Sequence, residues 1–345
     1  MSRYALLLLP SANRVYADAA VELTVAELEV FNSTVLGGRL AEIEPASIGG
    51  VPYVTFSADD LDGDAVALLS NASSMYALFA REGDLLRPVA LTPLCHFDDD
   101  LVTIQKYQGK TNEQFTRLLL NVTVLASASG PRMLERRLRV LDPLCGRGTT
   151  LNTALTYGYD VAGLDIDGKD FEAYSAFIQT YLRRKRIKHR AEAAPVRRER
   201  QTIGRRLHIT LAPTKETYRA GDTLSFEIVN ADTARAGEFF RPESFDVVVA
   251  DAPYGVQHGS RTQARGLARS PLDLLRTAAP QWARLLRPGG AMGIAWNTHV
   301  AAREAAAAVL AEAGVSIVDS EPYRRLRHRV DQSIVRDILV ARRPG

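Results

Sequence analysis

The sequence predicts an α/β protein. A mostly parallel, doubly wound sheet should end in an antiparallel pair of strands, and a smaller α+β module should precede it. Three observations carry this. From Leu138 onward, strand-like apolar runs alternate with helical ones, as they do when helices cross between parallel strands. The last two strand runs have no helical run between them. The 345 residues, 46% hydrophobic and 24% charged, are ordinary globular composition with material for two domains, which removes disorder, collagen and coiled coil.

In the first region we expect a strand over 3–9, an amphipathic helix over 17–34, a strand over 51–57, a short helix over 62–70, and strands over 75–81 and 86–91. A helix over 112–127 then leads into the second region, with Gly130-Pro131 as punctuation. There the expected strands are 138–142, 160–165, 224–229, 245–251, 291–296, 316–320 and 334–341, and the helices lie near 150–157, 171–185, 271–286 and 300–313. Residues 183–222 read as an insertion: a basic segment and a run over 208–219, arranged as an extra β-hairpin closing at Ala220-Gly221-Asp222. The organisation expected is an N-terminal domain over 1–112 and a second domain over 113–345.

The formal charge of +3 hides a concentration. Residues 183–206 hold eleven Lys and Arg against Glu192 and Glu199, so the rest of the chain is net negative. Such a segment suits a phosphate-rich partner, and its plainer alternative is an exposed, partly disordered arginine helix. Cys95 and Cys145 cannot form a disulfide framework, and none of the six histidines falls at metal-ligand spacing with them. No apolar stretch approaches eighteen residues, and the run over 4–9 is shorter than a secretory signal core. The expectation is a cytoplasmic protein without structural zinc.

In VLDPLCGRGTTL (Val140 to Leu151) an apolar strand ends at Asp142 and Pro143, then turns through Gly146 and Gly148 into a helix near Thr149. The glycines let the backbone approach a ligand, and the helix N-terminus offers unpaired N–H groups. A nicotinamide fingerprint would place its third glycine where Leu151 stands, so that cofactor is disfavoured. GLDID closes the second strand with Asp165, where a carboxylate can accept both hydroxyls of a ribose; NADT puts Asp232 after the third, suited to an adenine amine; DAPYG ends the fourth with Asp251. Each acid alone could be a helix cap, but acids at successive carboxyl ends share the rim where such sheets bind ligands. Asp251 and the carbonyl after it can accept both hydrogens of a planar amine, Pro253 stiffens the loop, and Tyr254 offers a stacking face.

DPLCGRGT, GLDID, NADT and DAPYG, in this order, resemble motifs I to IV of S-adenosylmethionine-dependent methyltransferases that modify exocyclic amines of nucleic-acid bases. More narrowly, YQGKTNEQFTRLLLN (Tyr107 to Asn121) followed by DPLCGRGTTL, with DAPYG, is similar to the THUMP-associated tRNA guanine-N2-methyltransferases, and the N-terminal LLLPSANRVYADAAVELTVAEL resembles the ferredoxin-like part of that group. Ala252 stands where the family usually has a proline. The resemblance implies a Rossmann-like class I methyltransferase fold with S-adenosyl-L-methionine as cofactor. It implies that Asp142, Pro143, Cys145, Gly146, Gly148 and Thr149 hold the methionine part, Asp165 and Ile166 the ribose, and Asp232 and Thr233 the adenine. Asp251, Ala252, Pro253 and Tyr254 would hold the target base, and the N-terminal domain would bind RNA, tRNA above all. Arg183, Arg184, Lys185, Arg186 and Lys188, with Arg261 and Arg265 in the loop after Tyr254, are the expected phosphate contacts. The alternatives are a DNA adenine-N6 or cytosine-N4 methyltransferase, and a non-catalytic RNA-binding protein on the same scaffold. Cys145 has no base or second thiol near it in sequence and reads as a packing residue.

Overall fold

The apolar alternation of the N-terminal region builds a five-stranded antiparallel sheet. The structure, a computed structural model, describes residues 1–11, 13–59, 61–135, 137–252 and 271–345. The region runs β1 (Ser2–Leu8), α1 (Arg14–Thr34), β2 (Leu40–Ile48), β3 (Val51–Ala58), α2 (Gly63–Leu69), β4 (Met75–Glu82) and β5 (Leu85–Val89). Asn13 caps α1 by accepting from Val15 and Tyr16 N–H, and Asp62 caps α2 through Ala65 N–H. Tyr4, Leu6 and Leu8 alternate onto the buried face of β1, against Leu23, Leu28 and Phe31 of α1. β2 lies outside the expected elements; it is an edge strand whose Glu42, Glu44 and Pro45 face solvent, so it carries little apolar signal.

A short α3 (Asp100–Thr103) and α4 (Glu113–Ala126) follow. Every residue of α4 except Glu113 and Arg117 is buried, because the helix is packed between α1 on one side and the second sheet on the other. It lies so close to that sheet that a Cβ on Gly293 would meet Thr123 Oγ1 at 1.8 Å. A buried polar network joins the two regions here. Glu27 of α1 accepts from Ser73 Oγ at 2.6 Å and Asn121 Nδ2 at 2.8 Å, and Asn121 Oδ1 accepts from Tyr157 at 2.9 Å.

The second sheet contains ten strands: β6 (Arg139–Asp142), β7 (Asp160–Asp165), β8 (Lys188–Arg198), β9 (Gln201–Ala212), β10 (Leu224–Asn230), β11 (Phe245–Asp251), β12 (Leu286–Asn297), β13 (Ser316–Ile317), β14 (His328–Arg329) and β15 (Val335–Arg342). The helices between them are α5 (Thr149–Thr156), α6 (Gly168–Arg184), α7 (Lys215–Arg219), α8 (Pro271–Leu285), α9 (Arg303–Glu312) and α10 (Glu321–Arg324). The order is β13-β15-β12-β11-β6-β7-β10-β9-β8, with β14 beside β15. β6, β7, β10, β11 and β12 are parallel, as the alternation of strand and helix predicts. The order reverses between β6 and β11, so the crevice at their carboxyl ends is where this architecture binds ligands. Asp142 and Asp251 are the last residues of those two strands.

Two expectations need correction. The C-terminal strands pair antiparallel as expected, but β15 lies between β12 and β13, and α10 and β14 intervene between β13 and β15. The basic insertion is a β-hairpin rather than an arginine helix. Its turn is at Glu199 and Arg200, both with positive φ, and not at Gly221, which follows α7. β9 adds antiparallel to the free edge of β10 over seven residue pairs. That backbone ladder overrides the helical preference of an Ala-, Glu- and Arg-rich segment. Among the described residues, no helix is long and apolar enough to cross a membrane.

Candidate active site

Asp142 is 3% exposed, and its Oδ1 accepts from Leu144 N–H at 3.0 Å. The loop beyond it is tied down from below: Cys145 N–H donates to Leu164 O at 2.9 Å, and Gly148 N–H to Cys145 O at 2.7 Å. Cys145 is buried, and a Cβ on Gly163 would meet its Sγ at 2.8 Å and Leu151 Cδ1 at 2.7 Å. The small residue that a dinucleotide site places on the helix is here on the strand, and Leu151 fills the gap. Burial pushes the Cys145 thiol well up, as fits a packing role.

The two loop glycines differ in purpose. Gly146 has φ +48° and an added Cβ would meet nothing within 4 Å, so its backbone is open to a ligand; its N–H donates to Asp165 Oδ2 at 2.8 Å. Gly148 has φ +81°, but an added Cβ would lie 1.9 Å from Tyr174 Cζ. Its close approach is therefore to the Tyr174 ring, whose hydroxyl donates to Asn152 Oδ1 at 2.9 Å, rather than to a ligand as the sequence suggests. Gly148→Ala combines backbone strain with overlap in a packed core. We expect it to cost more than about 3 kcal/mol and to lower the Tm by several degrees. In a thermal-denaturation double-mutant cycle with Tyr174→Ala, that steric cost should largely disappear.

The residues before α4 roof the crevice. The Tyr107 hydroxyl lies 3.2 Å from Thr149 Oγ1, and Arg147 stacks on the Tyr107 ring at 5.0 Å while its Nε donates to Asp170 at 2.8 Å. Thr111 Oγ1 donates to Asp251 Oδ2 at 2.7 Å, and Arg336 Nη2 stands 3.7 Å from the same oxygen. Ala252 N–H is spent on Ala295 O of β12 at 2.8 Å. Together these elements enclose a cavity of about 300 Å³ lined by Tyr107, Thr111, Phe115, Asp142, Cys145, Gly146, Thr149, Thr150, Asp251 and Ala252, among others.

Burial pushes the Asp142 carboxyl up to about 7, against hydrogen bonds from Leu144 N–H and Thr150, and the negative charges of Asp251 and Asp165 push the same way. Asp165 is also raised, first by burial and then by Asp170 and Asp167. A buried acid crowded by other acids calls for a cationic partner. The ammonium and sulfonium groups of S-adenosylmethionine meet that need, and the open backbone at Gly146 leaves room for them.

At the adjoining rim, Asp165 Oδ1 accepts from Asp167 N–H at 2.7 Å, and Asn230 Nδ2 donates to Asp165 O and Ile166 O. Ile166 is 72% exposed at the same rim. Asp232 caps the 3-10 turn Thr233–Glu238 through Ala234 N–H at 2.9 Å. Thr233 is drawn into the core, where its Oγ1 accepts from Trp282 Nε1 at 2.9 Å. Pro143 is buried beneath the loop.

The basic residues are dispersed. Arg183, Arg184, Arg186 and Lys188 are exposed at the end of α6 and the start of β8. Lys185 instead clamps Asp98 at 2.8 Å and Asp100 at 2.6 Å, so its charge is already matched. Pro253, Tyr254, Arg261 and Arg265 lie outside the described residues. Sequence reasoning did not single out Tyr107, Thr111, Thr150 or Arg336. The first two stand in the YQGKTNEQF stretch, but nothing local shows that it folds over a strand end 140 residues away.

Residues 128–295 match the protein-family model described as RMKL-like, methyltransferase domain. No curated protein matches the chain. Among solved structures, the chain is similar to a TehB-like SAM-dependent methyltransferase from Corynebacterium glutamicum, at 15% identity over 62% of this chain and 86% of the other, with a TM-score of 0.35. It is similar to the N-methyltransferase NodS from Bradyrhizobium japonicum, at 13% identity over 67% and 96%, TM-score 0.37. It is also similar to the fibrillarin pre-rRNA processing protein of Methanococcus jannaschii, at 11% identity over 88% and 84%, TM-score 0.35. The family match includes both strands of the crevice, with Asp142 and Asp251. The chain carries an S-adenosylmethionine-dependent methyltransferase domain.

Proposed function

We propose that this methyltransferase acts on an exocyclic amine of an RNA base, guanine N2 in tRNA, in the cytoplasm. One observation carries the reading: Asp142 and Asp251 end the two strands that flank the sheet's reversal, and both line one cavity. Asp142 supplies the negative charge that a cationic methyl donor needs, and Asp251 supplies an acceptor for an amine. The resemblance of DAPYG and of Tyr107 to Asn121 to the guanine-N2 group supports the choice of base.

When bound, the cofactor supplies an electrophilic methyl on a sulfonium. The chain's own task is to present the amine. An aromatic amine is a poor nucleophile because its lone pair is delocalised into the ring. Accepting one N–H at Asp251 Oδ favours a pyramidal nitrogen with its lone pair directed outward, and fixed placement supplies much of the rate. Thr111 and Arg336 hold the carboxylate in one orientation before the amine arrives. The proton lost after transfer can pass to Asp251 Oδ. Unstacking the base costs a few kcal/mol, which a stacking face on Tyr254 can offset in part.

The β8–β9 hairpin and the end of α6 would follow the RNA backbone. Changing Arg183, Arg184, Arg186 and Lys188 to Gln should weaken tRNA binding and flatten log Kd against log salt by about 0.7–0.9 for each phosphate that is no longer neutralised. Filter binding between low and moderate salt checks it, and an unchanged slope removes this surface from the binding site. The decisive experiment incubates the protein and labelled cofactor with separate tRNA, rRNA and DNA pools, followed by nucleoside analysis. Label in N2-methylguanosine of tRNA is expected, and label in DNA alone overturns the reading.

A further inference from the structure

A second cavity, of about 170 Å³, lies on the other side of the 109–112 segment and is lined by Tyr16, Gly109, Thr111, His328, Ile334 and Arg336, among others. Gly109 and Thr111 line both cavities. Thr111 and Arg336 both meet Asp251 Oδ2, so Asp251 stands at the partition. β15 runs antiparallel to β12, with Arg336 opposite Asn297, which brings its first residues level with the carboxyl ends of the parallel strands. Asp251 lines the first cavity and is joined to the second through Thr111 and Arg336, which line it.

His328 is the chemically specific group in this wall. It is 6% exposed, edge-on to Tyr16 at 5.9 Å and tilted over Phe115 at 5.1 Å, so its ring is fixed. Its Nδ1 lies 3.1 Å from Leu326 O. A carbonyl only accepts, so Nδ1 carries the hydrogen and Nε2 keeps a bare lone pair. That Nε2 is buried with no hydrogen-bond partner among the described residues, an arrangement that persists at a cost unless a ligand supplies a donor. Burial, with the Arg336 charge, pushes the ring down to about 4, so it stays a neutral acceptor at physiological pH.

We infer that this second cavity receives the ring of the acceptor base, and that His328 Nε2 accepts the ring N–H adjacent to the target amine. This rests on the proposed amine methylation. It also deepens it, because two acceptors, Asp251 and His328, require an amine flanked by a ring donor. Guanine alone among the amino-bearing bases has this, with N1–H beside N2. The amines of adenine and cytosine are flanked by a ring lone pair, which would face the lone pair of Nε2. The cavity is thus a specificity device as well as a seat for the base.

The test uses the full chain and an RNA oligonucleotide spanning the mapped site, with guanosine or 1-methylguanosine at the target. Wild-type kcat/KM is expected to fall at least about 100-fold on 1-methylguanosine. His328→Ala should lose activity on guanosine to a similar extent with its affinity for S-adenosylmethionine unchanged. His328→Gln, which restores a side-chain acceptor, should recover part of it. Equal kcat/KM on the two oligonucleotides overturns the pocket while leaving amine methylation standing. If no nucleic-acid pool takes label, the functional reading falls, and nitrogen-15 histidine spectra with guanosine or adenosine monophosphate read the cavity directly. A shift of the His328 Nε2 resonance with guanosine monophosphate alone supports the pocket, whereas no shift, or the same shift with both, overturns it.

Discussion

Asp251→Ala is expected to lower kcat for methyl transfer by about 10²–10³-fold while leaving the Kd for S-adenosylmethionine within about threefold of wild type. The asymmetry follows from the position of this carboxylate. It ends β11 and touches Thr111 and Arg336, the side proposed for the acceptor, whereas the loop that follows β6 belongs to the other strand. Its charge opposes ionisation of Asp142, so removing it cannot weaken the attraction of Asp142 for a cation. Asp251→Asn separates orientation from proton acceptance. Asn keeps one Oδ acceptor for the amine but cannot take its proton, and should retain more activity than Ala. Thr111→Val should lower kcat by about tenfold, with KM for the cofactor unchanged, through loss of the hydroxyl that holds the carboxylate. Because Arg336 is 5% exposed and loses an ion-pair partner in Asp251→Ala, thermal melts must accompany the kinetics. A loss of activity that merely tracks Tm in all three variants would falsify the catalytic role of Asp251.

The parallel core was legible because its signals are local. β7 and β11 begin and end where their apolar runs do, at Asp160 and Asp165 and at Phe245 and Asp251. Buried parallel strands are apolar on both faces and stand out against turn residues. The rim acids were legible for the same reason, since Asp142, Asp165 and Asp251 each close such a run and Asp232 follows the end of another by two residues. β2 was not, because an edge strand with one face in solvent alternates charged and small residues. The β8–β9 hairpin was foreseen only as an extra hairpin with the wrong turn. Nothing in KHRAEAAPVRR marks a strand; it becomes one because β10 presents an unpaired edge to β9. The division of labour between Gly146 and Gly148 was also invisible, since it depends on a tyrosine 26 residues further on in α6. Likewise, Thr111, Arg336 and His328 reach the site only through the packing of α4 and the antiparallel return of β15. Their identities as ordinary Thr, Arg and His carry no hint of it.

Asp142 gives the second large expected effect, in which function and stability move in opposite directions. Its carboxyl is pushed up to about 7 by burial, so between roughly pH 4 and pH 7 the folded chain binds more protons than the unfolded one, and folding stability falls as pH rises through that window. Asp142→Asn removes this liability while retaining an Oδ acceptor for Leu144 N–H. The ligand-free variant should therefore match wild type near pH 4 and exceed it by about 1–3 kcal/mol at pH 8, a rise of a few degrees in Tm. Cofactor binding should show the reverse. Ionised Asp142 attracts the cationic donor, so wild-type affinity should rise by about tenfold from pH 6 to pH 8, whereas the variant should bind at least tenfold more weakly at pH 8 with a flatter profile. Calorimetry across that range, alongside thermal melts of the ligand-free protein, measures both. A variant that is less stable than wild type at pH 8, or that binds the cofactor with the wild-type pH profile, would show that Asp142 is a structural acid that happens to line the crevice. The opposite signs are what distinguish a group held ready for a positive charge from one that has already found its partners in the fold.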